Sequence, residues 1–288
     1  MKLWQKNNSS VNELIEKFTV GRDKEFDMVL AEYDVQGSMA HVTMLGETGL
    51  MTASETKAAI LGLQEILAEI RQGRFKIEEE VEDVHSQVEL LLTQRIGEAG
   101  KKIHSGRSRN DQVALDIKLY LRAAILHIKY EVKELFDLLI IQSEKYKDKG
   151  VPGETHLQIA MPSSFGRWFG AYAEGLVDDA EVLAAAFQIA NKNPLGSGAG
   201  YGSSFPLNRK LTTELLNFRT LNYNSVYAQM TRGKTEKITA MALSTVAATL
   251  SKLAMDCCLY LSQNFAFISF PPELTTGSSI MPHKKKPD

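Results

Sequence analysis

The sequence predicts an all-α protein: a small N-terminal helical domain followed by a bundle of long helices. Three observations predict it. Residues 107–149 contain neither glycine nor proline, and neither do residues 234–268. Apolar residues in these runs recur at helical spacing. Strand signals are scarce. The first run of 43 residues would extend about 60 Å as one helix. Its Leu115, Leu119, Ile125, Ile128, Val132, Leu135 and Leu139 form one stripe. The second run, Lys234 to Ile268, carries Met241, Leu243, Val246, Leu250, Leu253, Leu259 and Leu261 on more than one side. A helix apolar all round belongs inside a bundle. A third candidate covers Ser163 to Asn191, where Gly166, Gly170 and Gly175 weaken the helix or let another helix approach closely.

The first hundred residues predict shorter helices set off by caps. Ser10-Val11-Asn12-Glu13 and Thr52-Ala53-Ser54-Glu55 both fit the capping box. After the second box, Ile60, Leu63, Leu67 and Ile70 make one face, and Gly73 suits the C′ position. Arg74 to Glu78 alternates too weakly to predict a strand. A boundary near residue 105 divides a domain of residues 1–105 from a bundle of residues 106–288. The stretches 101–109, 150–164, 193–206 and 271–288 are expected as loops.

Composition narrows the function. The chain has 288 residues, 44% hydrophobic and 24% charged, with net charge −2. That balance gives no overall pull toward nucleic acid or anionic membrane. No apolar signal core opens the sequence, and no run of 18 uncharged apolar residues predicts a membrane span. Cys257 and Cys258 are adjacent in a helical run and point about 100° apart. No disulfide framework is expected, which fits a reducing cytoplasm.

Three segments concentrate polar chemistry. His104-Ser-Gly-Arg-Ser-Arg-Asn-Asp-Gln112 precedes and enters the longest helix. A helix N-terminus offers free N–H groups and a positive dipole end. Either a polar cap or an anion site fits it, but a cap needs one such residue rather than this density. Glu154-Thr155-His156-Leu157-Gln158 places a histidine between Val-Pro-Gly and Met-Pro-Ser, and an ordinary imidazole suits proton transfer. Gly277-Ser278-Ser279-Ile280-Met281-Pro282-His283-Lys284 joins hydroxyls, backbone N–H groups and cations, an inventory suited to a carboxylate whose charge grows during reaction. The other histidines lack metal-ligand spacing, so no zinc site is expected. The glycine-rich Asn193–Gly202 stretch reads better as a tight connector than as a nucleotide loop, since no strand precedes it and no Lys-Ser/Thr follows.

Together these segments resemble the three signature regions of argininosuccinate lyases, in the fumarase/aspartase superfamily. The resemblance runs nearly end to end and includes Asp34–His41, Glu82–His85 and Pro194–Ala199. The Ser-Gly-Arg-Ser-Arg-Asn-Asp-Gln string distinguishes that family from other superfamily lyases. The resemblance implies a superfamily lyase fold and β-elimination of argininosuccinate to arginine and fumarate, in arginine biosynthesis. It implies no metal or organic cofactor, and a cytoplasmic homotetramer whose sites are shared between subunits. Ser278 would be the base, Lys284 the cation beside its alkoxide and the dianionic intermediate, and His156 the acid or a substrate-binding group. Ser108, Arg109, Asn110 and Thr155 would hold substrate, with Asp83 and His85 in a second contacting segment. The sequence departs from the family pattern at Lys286, where the family has asparagine, and within Thr19–Asp23, where the family has a substrate-binding serine. Family members continue past residue 288, so the sequence is expected to be C-terminally incomplete. Two alternatives accompany this reading: a catalytically silent, crystallin-like structural homologue, or another superfamily lyase that releases fumarate.

Overall fold

A computed structural model describes residues 18, 21–284 and 286. The first capping box, at residues 10–13, lies outside them. Helices dominate. In order they are α1 (Asp23–Glu47), α2 (Ala53–Arg71), α3 (Val84–Ile96), α4 (Arg109–Lys145), α5 (Phe165–Ala190), α6 (Arg209–Leu215), α7 (Ser225–Met230) and α8 (Lys234–Leu261). A 3₁₀ turn, Gly97–His104, leads from α3 toward α4. Strands β1 (Gly150–Thr155) and β2 (Gln158–Ser164) pair antiparallel, and the two-residue β3 (Lys192–Asn193) and β4 (Thr220–Leu221) pair parallel.

Local chemistry sets the helix ends. The Thr52 hydroxyl accepts from the Glu55 N–H at 3.3 Å, and the Glu55 carboxylate accepts from the Thr52 N–H at 2.9 Å. That is the expected reciprocal box, worth about 1 kcal/mol. At the other end of α2, Gly73 adopts φ +69°. Its N–H donates to Ile70 O, and the Arg74 N–H donates to Glu69 O, which closes a Schellman turn. The predicted face packs inward: Leu63 is fully buried, while Ile60, Leu67 and Ile70 flank a core of Val42, Leu45, Ile66 and Leu92.

The chain divides into two compact units. One comprises residues up to Ala124 with Phe187–Lys237, the other Ile125–Ala186 with the chain from Ile238 onward. In the first, α1, α2 and α3 pack around that core. At 25 residues, α1 is longer than the short helices expected there. In the second, the Trp168 indole and the Tyr172 hydroxyl both donate to Asp256, at 2.8 and 2.6 Å, tying α5 to α8.

Two elements differ from expectation. The stretch 150–164 is a hairpin rather than a loop. Pro152 lies opposite Pro162, and in a two-stranded ribbon every strand has an outer edge where a missing N–H is tolerated. The run 234–268 stops being helical at Leu261. There the chain turns back, the Phe267 N–H donates to Tyr260 O at 2.9 Å, and the two rings pack 5.4 Å apart. By length and composition α8 could cross a membrane, although Lys252 and Asp256 interrupt its apolar run. Of its apolar residues only Ala242 and Val246 are buried, and Met241, Leu250 and Met255 are exposed.

Gly166 is the close approach that the glycines of α5 suggested. A Cβ there would lie 2.5 Å from Lys147 Cα and Ser143 O. Gly166→Ala is expected to destabilise the protein by about 1–3 kcal/mol, because backbone rather than a flexible side chain would have to yield. Urea unfolding of the variant against the parent measures it.

Candidate active site

The start of α4 is capped by its own side chains. Ser108 Oγ accepts from the Asn110 N–H at 3.2 Å, and Asp111 Oδ1 accepts from the Ser108 N–H at 2.9 Å. Asp83 caps α3, accepting from the Ser86 N–H at 2.8 Å. Arg109 then joins the two helix starts: its guanidinium pairs with Asp83 and donates to Ser86 Oγ at 2.8 Å. Asn110 is exposed, with its carbonyl accepting from Arg232 at 3.0 Å. Asp83, Ser108, Arg109 and Asn110 therefore lie together in the first unit, with their donors and acceptors largely oriented by one another.

Beneath them lies a buried charged cluster. His85 Nδ1 donates to Asp34 Oδ1 at 2.8 Å and lies 3.7 Å from Asp116 Oδ2. His85, Asp34 and Asp116 are all buried, as is Arg107, which donates to Ser38 Oγ at 3.2 Å. Burial alone would discharge the imidazole, but the two carboxylates hold its pKa up at about 9. Asp116 is pushed well above the usual carboxylate range, by burial first and by Asp34 second. Asp34 meets the same burial, but the His85 cation and hydrogen bond and the Arg107 charge hold its carboxyl below that range. His41 is the opposite case: burial and the Arg107 charge keep it neutral while its Nε2 bonds Ser105 O at 2.9 Å. Asp34, His85, Arg107 and Arg109 line one narrow polar crevice, so the cluster is continuous with the Arg109 segment above it.

The side-chain ligand atoms of Asp34, His85 and Asp116 lie within 4.8 Å of one another, close enough to hold a metal ion. Here the imidazolium already supplies the cation between the carboxylates, and Arg107 adds a second positive charge.

Thr155, His156, Ser278 and Lys284 belong to the second unit. Thr155 pairs with Gln158, leaving His156 and Leu157 as the two tip residues of the hairpin. Both have positive φ, 54° and 58°, the conformation of a type I′ turn usually given to Asn-Gly. Non-glycine residues held there cost on the order of 1–3 kcal/mol each, and such strain clusters at functional sites. The turn presents the His156 ring outward, exposed. Ser278 is half-buried, and its Oγ accepts from the Met281 N–H at 3.3 Å. The Lys284 N–H donates to Met281 O at 2.9 Å, and its ammonium end is exposed. Two backbone hydrogen bonds between Thr276 and Lys286, 2.9 and 2.8 Å, close this loop at its base. At position 286 the backbone closes the loop, a bond that any residue except proline can make in both directions.

Sequence reasoning missed Asp34, Asp116 and Arg107 as members of a charged core, and Arg232 as the partner of Asn110. Periodicity has no means of pairing residues so far apart in the chain. The chain belongs to the lyase family, whose model it matches over residues 6–288, and within it to the argininosuccinate lyases. It is 63% identical to the argininosuccinate lyase of Bacteroides thetaiotaomicron, covering 100% of this chain and 64% of that protein. It is 40% identical to the argininosuccinate lyase of Thermotoga neapolitana, covering 100% of this chain and 72% of the relative. Among solved structures, EDDS lyase in complex with formate superposes with a TM-score of 0.82 at 25% identity, over 98% of this chain and 55% of that one. The chain thus spans less than two thirds of the length of the Bacteroides relative.

Proposed function

We propose that the whole protein splits argininosuccinate into arginine and fumarate, a step of arginine biosynthesis in the cytoplasm. The observation that carries this reading is the 63% identity to an argininosuccinate lyase along this entire chain, with Ser278, His156 and Lys284 all present. Ser278 removes the proton beside a carboxylate. A serine hydroxyl is a poor base until its alkoxide is stabilised, and the N–H groups of the 277–284 loop with the Lys284 ammonium serve that purpose. The same cation offsets the second negative charge that the carboxylate takes on in the intermediate. His156 protonates the departing guanidino nitrogen or orients the substrate. Asp83, His85, Ser108, Arg109, Asn110 and Thr155 form the binding set, with Arg109 and Asn110 holding carboxylate and amino-acid groups.

The protein acts as a homotetramer in which the signature segments of different subunits meet in one site. The exposed apolar residues of α4 and α8, such as Leu138, Ile141, Met241 and Met255, are faces that further helices, of the whole protein or of a neighbouring subunit, would cover. Fumarate absorbance tests the reaction. The whole protein should release fumarate from argininosuccinate and not from adenylosuccinate, aspartate or malate. A preference for any of the latter three, or no turnover at all, would replace this reading with another superfamily lyase or with a silent crystallin-like homologue.

A further inference from the structure

Asp111 makes contacts that neither the sequence motif nor the proposed chemistry uses. It is completely buried. Its Oδ1 accepts from Ser108 N–H at 2.9 Å, and its Oδ2 accepts from the N–H groups of Gly196 and Gly198 at 3.0 and 2.9 Å. The glycine-rich connector therefore closes around an anion, and the anion belongs to this chain. Gly196 and Gly198 have φ +82° and +58°, which brings both N–H groups onto one oxygen as an anion-binding nest. A Cβ at Gly196 would lie 2.8 Å from Arg209 Cγ, and one at Gly198 2.8 Å from Gly202 O. Only glycine fits either position without a shift.

The connector is itself fixed from behind. Asn193 donates to Thr212 and Thr213 at 3.1 and 3.0 Å and accepts from the Leu195 N–H at 2.9 Å. Arg209 donates to Leu195 O at 2.9 Å, and Gln229 to Ser197 Oγ at 3.0 Å. Asp111 thus ties the start of α4 to a rigid support 85 residues further along the chain. Its immediate neighbours are Asn110 and, across one turn, Ser108. Charged groups near its carboxylate are Arg107 and Arg209.

We propose that Asp111 is a positioning residue: through the Gly196–Gly198 nest it fixes where Ser108, Arg109 and Asn110 present their polar groups to substrate. The proposal rests on the reading above for what the substrate is, and on geometry alone for the clamp. Asparagine cannot replace it. A carboxylate offers acceptors on both sides, whereas an amide turns N–H against either Ser108 or the two glycines. Misplacing a binding group by about 1 Å can cost on the order of 100-fold. Because the displaced groups hold the ground state as well as the transition state, the loss falls on KM.

The test uses the whole protein. Asp111→Asn should raise KM for argininosuccinate by roughly tenfold to 100-fold, with kcat changed far less. Amide exchange at Gly196 and Gly198 should accelerate. Gly198→Ala, which disturbs the nest from the other side, should raise KM in the same sense. The double variant should be no worse than Asp111→Asn alone, because both remove one clamp. Unchanged KM, a loss confined to kcat, or additive effects in the double variant would overturn the proposal. So would glycine amides that stay protected in Asp111→Asn. If the unsubstituted protein leaves argininosuccinate intact, the functional reading fails, while the exchange measurement still decides whether the clamp exists.

Discussion

Ser278→Ala is expected to lower kcat by about 1,000-fold, within the roughly 10²–10⁴ that a positioned proton-transfer group contributes, while the subunits still assemble. The loop explains why the loss should be chemical rather than structural. Its base is closed by backbone bonds between Thr276 and Lys286, which the substitution does not touch. The Ser278 hydroxyl makes one internal bond, accepting from Met281 N–H at 3.3 Å, and that bond is long enough to be worth little. Alanine keeps the backbone and removes the hydroxyl proposed as the base. Activity within tenfold of the parent would remove Ser278 from that role.

The second large effect concerns stability. His85→Leu is expected to cost about 3–5 kcal/mol, the range for removing one partner of a buried ion pair. Leucine would leave Asp34 and Asp116 facing each other without the cation between them. The pH dependence follows from the same contacts. His85 titrates near 9 in the fold against 6.5 as the ordinary value. A raised imidazole pKa stabilises the fold fully below pH 6.5, and that stabilisation is lost as pH climbs toward 9. About 3 kcal/mol is at stake over that window, at 1.36 kcal/mol per pH unit of difference. The groups that face His85 are Asp34 on α1, Asp116 on α4 and Asp83 at the cap of α3; Asp116, itself raised well above the carboxylate range, can only gain charge as the pH climbs and so adds to the loss. Urea unfolding at pH 6 and pH 9 should therefore show a fall in the parent and a much smaller fall in His85→Leu. A parent as stable at pH 9 as at pH 6 would contradict a charged His85.

What the sequence made legible follows from distance along the chain. Helix ends obey local rules, so the Thr52–Glu55 box and the Gly73 turn could be placed from residue types alone. Of the predicted stripe, Leu115, Leu119, Ile125, Val132 and Leu139 are buried, and Ile128 and Leu135 are half-buried. The hairpin 150–164 was not legible, because prolines argue against strands in general and only a two-stranded ribbon tolerates them on both sides. The length of α1 was hidden for another reason. Its buried face includes Asp34, Gly37, Ser38 and His41, polar or small residues that erase the apolar period by which helices are recognised. They are buried because Arg107, His85 and the Ser105 carbonyl meet them there. The same long-range pairing concealed the nest around Asp111. The site segments were legible as chemistry, since hydroxyls, amides and cations were dense in short stretches, but their mutual support came from residues 26 to 122 positions away.

The central claim is that segments of different subunits complete one another in a shared site. The most direct measurement mixes two inactive whole proteins, Ser278→Ala and Asn110→Ala, dissociates them and lets them reassemble together. Shared sites predict that fumarate release from argininosuccinate returns in the mixture, because some sites then combine an intact Ser278 from one subunit with an intact Asn110 from another. A mixture as inactive as either variant alone, despite proven exchange of subunits, would contradict the account.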